Sequence, residues 1–227
     1  MTDNKPDPAA GLPGIGAGFL VAESAPPTDL SLVVRLPGGR AAGYSRTSNK
    51  LILGLVGEMA SGKTTVTNYL KKKYGAVTHR FSDPLRDVLA RLHRPETRAN
   101  LQQLSTLLRQ NFGEDLLSKI LAADAAADAA PLVIIEGIRR AADMIDLKKL
   151  PGFRLVALTA DERKRYERLT GRRENPDDRA KSWEQFQAEG RAESEQQIKA
   201  VAKEAAATID NNGTFAKLYR QVDALVK

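Results

Sequence analysis

Residues 51–64 read Leu51-Ile52-Leu53-Gly54-Leu55-Val56-Gly57-Glu58-Met59-Ala60-Ser61-Gly62-Lys63-Thr64. The first part is short and nearly all apolar, as expected of a strand buried on both faces. The remainder fits G-x-x-x-x-G-K-[ST]. Gly57 and Gly62 let the backbone take conformations that a Cβ forbids, so that successive amide N–H groups converge on one anion. A helix is expected from Thr64 to Tyr74, ending near Gly75, and its N-terminus offers unsatisfied donors and a positive dipole end to the same anion. Lys63 adds a point charge at the β- and γ-phosphates of a nucleotide, and the Thr64 hydroxyl is placed to ligate Mg²⁺. An ordinary glycine-rich turn with a surface lysine is the competing reading. The strand before the motif and the helix after it are the context that favours phosphate binding.

Downstream, strands and helices alternate. Ala76 to Phe81, Leu132 to Ile135, Phe153 to Leu158 and Ala207 to Ile209 read as further strands. The stretch after the second strand is helical for about fifty residues, with Leu101, Leu104, Leu107 and Leu108 on one apolar face. Ala122 to Ala130 reads as a low-complexity Ala/Asp connector. Helices are expected at Ala141 to Leu150, from Asp161 onward, from about Trp183 to Glu204, and at Phe215 to Val226. Arg172 to Ser182 lacks apolar residues and contains Asn175-Pro176-Asp177-Asp178, the composition of a loop. The fold class expected is α/β, a five-stranded parallel sheet with helices on both faces, in three layers.

Residues 1–50 differ. Pro6, Pro8, Pro13, Pro26 and Pro27 stand among Gly and Ala without sustained periodicity, a flexible extension in composition. Within it, Leu30 to Leu36 and Ala41 to Tyr44, joined through Pro37-Gly38-Gly39, have the pattern of a short hairpin. The domain proper is therefore residues 51–227.

Composition narrows the function classes. Cysteine is absent from the sequence, which excludes disulfides, thiolate metal sites and cysteine nucleophiles. No apolar run approaches the roughly 18 residues of a membrane span, and MTDNKPDP lacks the basic and apolar regions of a secretory leader, so the cytoplasm is the expected location. A net charge of +7 suits either nucleic acid or a site built for a polyanionic small molecule. The linear sequence shows no aromatic interleaving among Arg154, Arg163, Lys164, Arg165, Arg168, Arg172 and Arg173, so the expected partner is a small nucleotide rather than nucleic acid, with no membrane.

Several residues are candidates for chemistry. Glu136 ends the third strand, at the sheet edge where ligands bind, and there can hold a Mg²⁺ water or accept a proton; otherwise it is a turn acid. Asp83 either caps the helix begun by Pro84 or activates a substrate hydroxyl, and the two roles are compatible. Arg86, one turn later, is suited to a bidentate phosphate contact or to solvent. At least one of Arg139 and Arg140 should face the cleft. Arg165, Arg168 and Arg172 share one helix face, where a polyphosphate or local pairing with Asp161, Glu162 and Glu167 would relieve their repulsion. His79 and His93 have no evident carboxylate company for a metal, and Trp183 reads as a packing residue.

With these residues in place, the chain from Leu51 to Lys227 resembles the nucleoside monophosphate kinase and dephospho-CoA kinase group of P-loop kinases. The features that carry the resemblance are the Gly57–Thr64 motif, Ser82-Asp83-Pro84-Leu85-Arg86, Ile135-Glu136-Gly137-Ile138-Arg139 and RYERLTGR (165–172), with Ile209-Asp210-Asn211-Asn212-Gly213-Thr214 as a last strand and turn near adenine. It implies a P-loop NTPase fold with a helical substrate-binding region at about 84–125 and a lid at about 165–190. It further implies ATP on Gly57, Ala60, Ser61, Gly62, Lys63, Thr64, Thr65 and Asn212. Catalysis is assigned to Lys63, Asp83, Arg139, Arg168 and Arg172, acceptor binding to Asp83, Arg86, Glu136 and Arg139, and Mg²⁺ to Thr64 and Glu136. Glu136 stands where many members carry Asp, Arg165 where dephospho-CoA kinases often carry Gln, and Glu189-Gly190 where a basic-acidic pair is expected.

The activity implied is transfer of the ATP γ-phosphoryl group to a nucleotide or nucleotide-like acceptor. A (deoxy)nucleoside monophosphate is favoured over dephospho-CoA because both Arg86 and Arg139 are present. The rival is an ATPase or regulatory ATP binder without an acceptor. A GTPase would need N-K-x-D, which Asn49-Lys50-Leu51-Ile52 does not supply.

Overall fold

Continuous apolar strands need cover on both faces, and the arrangement supplies it. The computed structural model describes residues 50–171, 181–191 and 193–227. Its strands are β1 (Leu51–Val56), β2 (Val77–Arg80), β3 (Leu132–Glu136), β4 (Phe153–Thr159) and β5 (Ala207–Asp210). They form one sheet in the order β2-β3-β1-β4-β5, every pair parallel, with β1 in the centre. The helices are α1 (Lys63–Tyr74), α2 (Asp83–Arg91), α3 (Arg98–Phe112), α4 (Leu116–Ala127), α5 (Glu162–Gly171), α6 (Trp183–Gly190), α7 (Glu193–Ala202) and α8 (Phe215–Val226).

The period-two alternation of strand side chains divides the core in two. Ile52, Val56, Val133, Ile135, Leu155 and Ala157 face Leu85 of α2, Leu117 and Leu121 of α4, and Ile198 and Val201 of α7. Leu53, Leu55, Ile134, Val156 and Leu158 face Val66 and Leu70 of α1 and Leu218 and Val222 of α8. β1 carries glycine at position 54 because a Cβ there would stand 2.7 Å from Ile138 and 2.9 Å from the Phe153 ring. All three layers and all five strands follow the sequence pattern.

Three local expectations are corrected. Ala122 to Ala130 is not a connector: α4 runs to Ala127, because alanine is the strongest helix former and Leu121, Ala122 and Ala125 are buried. The connection shrinks to the residues after it, where Lys50 Nζ donates to the carbonyls of Ala125 (2.9 Å) and Ala126 (3.1 Å). Ala141 to Leu150 forms two short 3₁₀ turns, Ala141–Met144 and Leu147–Lys149, rather than a helix. There the Asp143 carboxylate takes backbone donors from Arg139 and Arg140 that would otherwise start a helix. The helix expected from Trp183 to Glu204 is divided into α6 and α7, with α6 ending at Gly190 and capped by Arg191. The extension and hairpin expected within residues 1–50 and the loop expected at 172–182 fall, at 1–49 and 172–180, outside the described residues.

Candidate active site

Parallel strands send their C-terminal ends to one edge, and the chain turns there from β1 into α1. Gly57 passes with no room for a side chain: a Cβ would lie 2.5 Å from the Leu158 carbonyl oxygen and 2.7 Å from Ser61 Oγ. Ala60 has φ +58° and Gly62 φ +106°. The left-handed region costs a non-glycine residue roughly 1–2 kcal/mol, so surrounding structure must hold Ala60 there. Buried Ser61 closes the turn by donating its N–H to the Glu58 carbonyl at 3.2 Å. Buried Asn211, just beyond β5, donates Nδ2 to the Ser61 carbonyl at 2.8 Å. That same nitrogen would meet a Cβ on Gly62 at 2.1 Å. Glycine at 62 is thus required by backbone angle and by Asn211 together.

Left-handed residues near the start of a helix turn amides inward into an anion nest. No side chain caps the first turn of α1, and that turn carries no acid, which leaves its positive end for a ligand. Lys63 Nζ lies 2.6 Å from the Gly57 carbonyl oxygen and 2.9 Å from that of Glu58, at the loop it would share with phosphate. Thr64 is exposed at the first turn and Thr65 half-buried. The glycine cradle, the open helix end and the Thr64 hydroxyl fit a triphosphate with Mg²⁺, an ion that draws most of its ligands from substrate oxygens and water.

Beside this loop, the Glu136 carboxylate accepts from the Thr67 hydroxyl, one turn along α1 from Thr64, and from Arg80 Nε at 2.9 Å. The Arg80 backbone N–H donates to Asp83 at 2.8 Å. Arg80 therefore ties Asp83 and Glu136 together at the ends of β2 and β3. The capping role expected of Asp83 is not realised: it is the first helical residue, Pro84 the second, and its carboxylate reaches backward instead. Arg86 is ion-paired with Glu96, and the Arg139 side chain is exposed.

The arginines of α5 divide. Arg165 is buried and is held by Glu58 at 3.1 Å, by the Ala160 carbonyl at 3.2 Å and by the Met59 carbonyl at 3.4 Å. It therefore braces the variable residues of the loop, and the local acids Asp161, Glu162 and Glu167 do not claim it; Glu167 pairs with Arg163. From α7, Lys199 also reaches Glu58 at 3.4 Å, and the Met59 N–H donates to Glu195 at 3.4 Å. Arg168 donates to the Asn211 carbonyl at 2.7 Å, while its other terminal nitrogen is buried without a partner among the described residues. Arg172 lies outside the described residues. Asn212 accepts from the Asp161 N–H at 2.8 Å and Lys164 donates to its carbonyl at 2.5 Å, which fixes the turn after β5. Trp183 packs edge-on to Tyr166 and stacks with Phe186.

Sequence reading missed Asn211, Arg80, the Arg109–Asp143 pair and Asp124. Arg109 and Asp143 form a buried 2.7 Å ion pair that fixes the turn carrying Arg139. Burial on α4 pushes the Asp124 carboxyl up, with the charges of Asp87 and Asp83 adding and His79 opposing. The only signals available were turn residues after β5 and a polar residue ending β2. His79 is satisfied by Asp128 at 3.1 Å.

Residues 53–199 match the family model described as AAA domain. A UPF0200 protein of Hyperthermus butylicus is 29% identical over 139 residues, 61% of this chain and 73% of the relative. One from Methanoregula boonei is 33% identical over 128 residues, 56% of this chain and 69% of the relative. Among solved structures, TT1252 from Thermus thermophilus superposes with a TM-score of 0.54 at 20% identity, over 78% of this chain and 96% of that one. Shikimate kinase from Bacteroides thetaiotaomicron gives 0.51 at 14% identity, over 78% and 99%. The fold is thus that of P-loop kinases. Among the described residues no helix is long and apolar enough to cross a membrane.

Proposed function

Since this chain belongs to the AAA domain family and to the UPF0200 proteins, we propose that it is an ATP-dependent phosphotransferase. Its acceptor is a nucleotide or nucleotide-like molecule, a (deoxy)nucleoside monophosphate ahead of dephospho-CoA. The observation that carries this reading is that one sheet edge holds both the Gly57–Thr64 cradle and the Asp83–Glu136 pair bridged by Arg80.

In this reading the loop amides and Lys63 hold the β- and γ-phosphates, with Ala60, Ser61 and Thr65 lining the cradle and Asn212 at the base side. Mg²⁺, held by Thr64 with Glu136 nearby, neutralises charge on the phosphate oxygens when bound. Asp83 orients the acceptor oxygen and takes its proton as the new P–O bond forms and the bond to ADP breaks. Arg139, exposed at the end of its turn, grips an acceptor phosphate, and Arg86 joins it by exchanging Glu96 for the ligand. Arg168 and Arg172 serve the transferred group.

A second reading, an ATPase or regulatory binder without acceptor, draws support from the engagement of Arg86 with Glu96 and of Arg165 with Glu58. Coupled ADP release, assayed across nucleoside monophosphates and dephospho-CoA, separates the two. One acceptor should accelerate release well above ATP alone, and Lys63→Ala should abolish it in folded protein. Tight ATP binding with no stimulating acceptor would favour the second reading. Unchanged turnover in Lys63→Ala would discard the role given to Lys63.

A further inference from the structure

The groove between α1 and α8, about 690 Å³ in volume, is lined by ring faces. Tyr219 stacks on Tyr69 with centroids 3.9 Å apart and planes 3° from parallel. Phe215, one turn earlier on α8, extends the stack at 5.9 Å and 22°. It ends the series with 65% of its surface exposed. Two lysines border the rings: Lys72 lines the groove, and Lys73, ion-paired with Asp223, sits 5.2 Å from the Tyr69 ring centre. Lys73, Tyr69 and Tyr74 all direct their polar atoms to Asp223. The polar edges are thereby satisfied internally; Tyr69 and Tyr219 cover each other's facing sides, and the groove leaves the Phe215 ring exposed with Lys72 beside it.

We propose that this groove binds a short single-stranded stretch of nucleic acid, with a base stacked on the open face of Phe215 and a phosphate at Lys72. Parallel ring faces beside a basic rim are the combination that takes single strands irrespective of sequence, because every base has a π-face. A duplex hides those faces, and an apolar partner helix has no use for the lysines. From Thr65 to Lys73 the groove follows α1 for about 12 Å at 1.5 Å per residue, room for about three stacked nucleotides at 3.4 Å each. The sequence scatters the rings at 69, 74, 215 and 219, so the aromatic interleaving is visible only after folding. The proposal does not depend on phosphoryl transfer.

The test is fluorescence anisotropy of the full chain with labelled oligo(dT) and oligo(U) of about twelve nucleotides, within the site sizes of single-strand binders. Titrations run between about 50 and 200 mM salt. Binding is expected to weaken about tenfold in Phe215→Ala and to persist in Phe215→Trp. Lys72→Gln should lower the salt slope by about one. ATP affinity and far-ultraviolet circular dichroism should not change in any of these variants. The proposal is overturned if no oligonucleotide binds, if duplex of the same length binds as well, or if Phe215→Ala binds like the parent chain. It is also overturned if Phe215→Ala weakens ATP instead, the ring then serving the nucleotide's base. Light scattering that shows a dimer dissociated by Phe215→Ala would assign the rings to a second copy and overturn it equally.

Discussion

Arg109 of α3 and Asp143 of the turn after β3 meet at 2.7 Å, with 6% and 2% of their side chains exposed. Asp143 also accepts from the N–H groups of Arg139 and Arg140, at 2.9 and 3.0 Å. One carboxylate thus joins the helical region expected to hold an acceptor to the turn that carries Arg139. Asp143→Ala leaves the buried Arg109 guanidinium with only the exposed Glu114 carboxylate, at 3.9 Å, as a charge partner and should cost about 3–5 kcal/mol in denaturant unfolding. The double change Arg109→Met, Asp143→Leu should cost less than Asp143→Ala, because no charge is left buried. Equal costs would show that the pair does not act as a unit.

Gly62→Ala places a Cβ against Asn211 and keeps a positive φ that alanine tolerates poorly. Calorimetric titration should show ATP affinity reduced more than tenfold, with about 1–2 kcal/mol lost in stability from the backbone. Adding Asn211→Gly removes the clash and should recover part of the affinity. No recovery would mean that the backbone angle by itself shapes the cradle.

Arg165 distinguishes a brace from a transition-state contact. As a brace on Glu58 and the Met59 carbonyl, Arg165→Ala should lower stability by about 1–3 kcal/mol and raise the ATP KM severalfold, with kcat changed little. Were it a group that stabilises the transferring phosphoryl, kcat would fall by about 10³ or more. Steady-state kinetics alongside thermal unfolding decides the matter.

The clasp between α1 and α8 should respond to acid. Hydrogen bonds from Lys73, then Tyr69 and Tyr74, hold the Asp223 carboxyl down at about 2. An unfolded aspartate titrates near 3.9, so Asp223 stabilises the fold above that value, and the contribution disappears as pH falls through about 2. The Lys73 ammonium is raised by the same bond, so its share persists through neutral pH and is lost only above its ordinary alkaline range. The melting temperatures of the parent chain and Asp223→Asn should differ at pH 6 and converge toward pH 2 (pH values chosen on either side of about 3.9). A constant difference would refute the assignment.

How much was legible depended on distance along the chain. β1, its loop and α1 are contiguous, and each residue type there answers to a local demand, so the cradle and the parallel sheet could be read directly. Asn211 could not, because its partner Ser61 lies 150 positions away and nothing in a turn sequence names a remote carbonyl. Arg80 and Glu136 are likewise joined only by the β2–β3 register. The alanine run of α4 has the composition of a connector, yet its helix propensity and the burial of Leu121, Ala122 and Ala125 prevail. The Ala141–Leu150 stretch was misread because Asp143 answers to Arg109, a contact no periodicity reports.

The central place of β1 has a consequence for biosynthesis. Its partners β3 and β4 come far later in the chain, Gly57 is walled by Leu158, and Gly62 is closed by Asn211 just past β5. A ribosome releases the glycines early, yet their enclosure waits until β4 and the turn after β5 have emerged. Prematurely terminated products that lack β5 should therefore be unable to take up nucleotide, however well their earlier segments have folded.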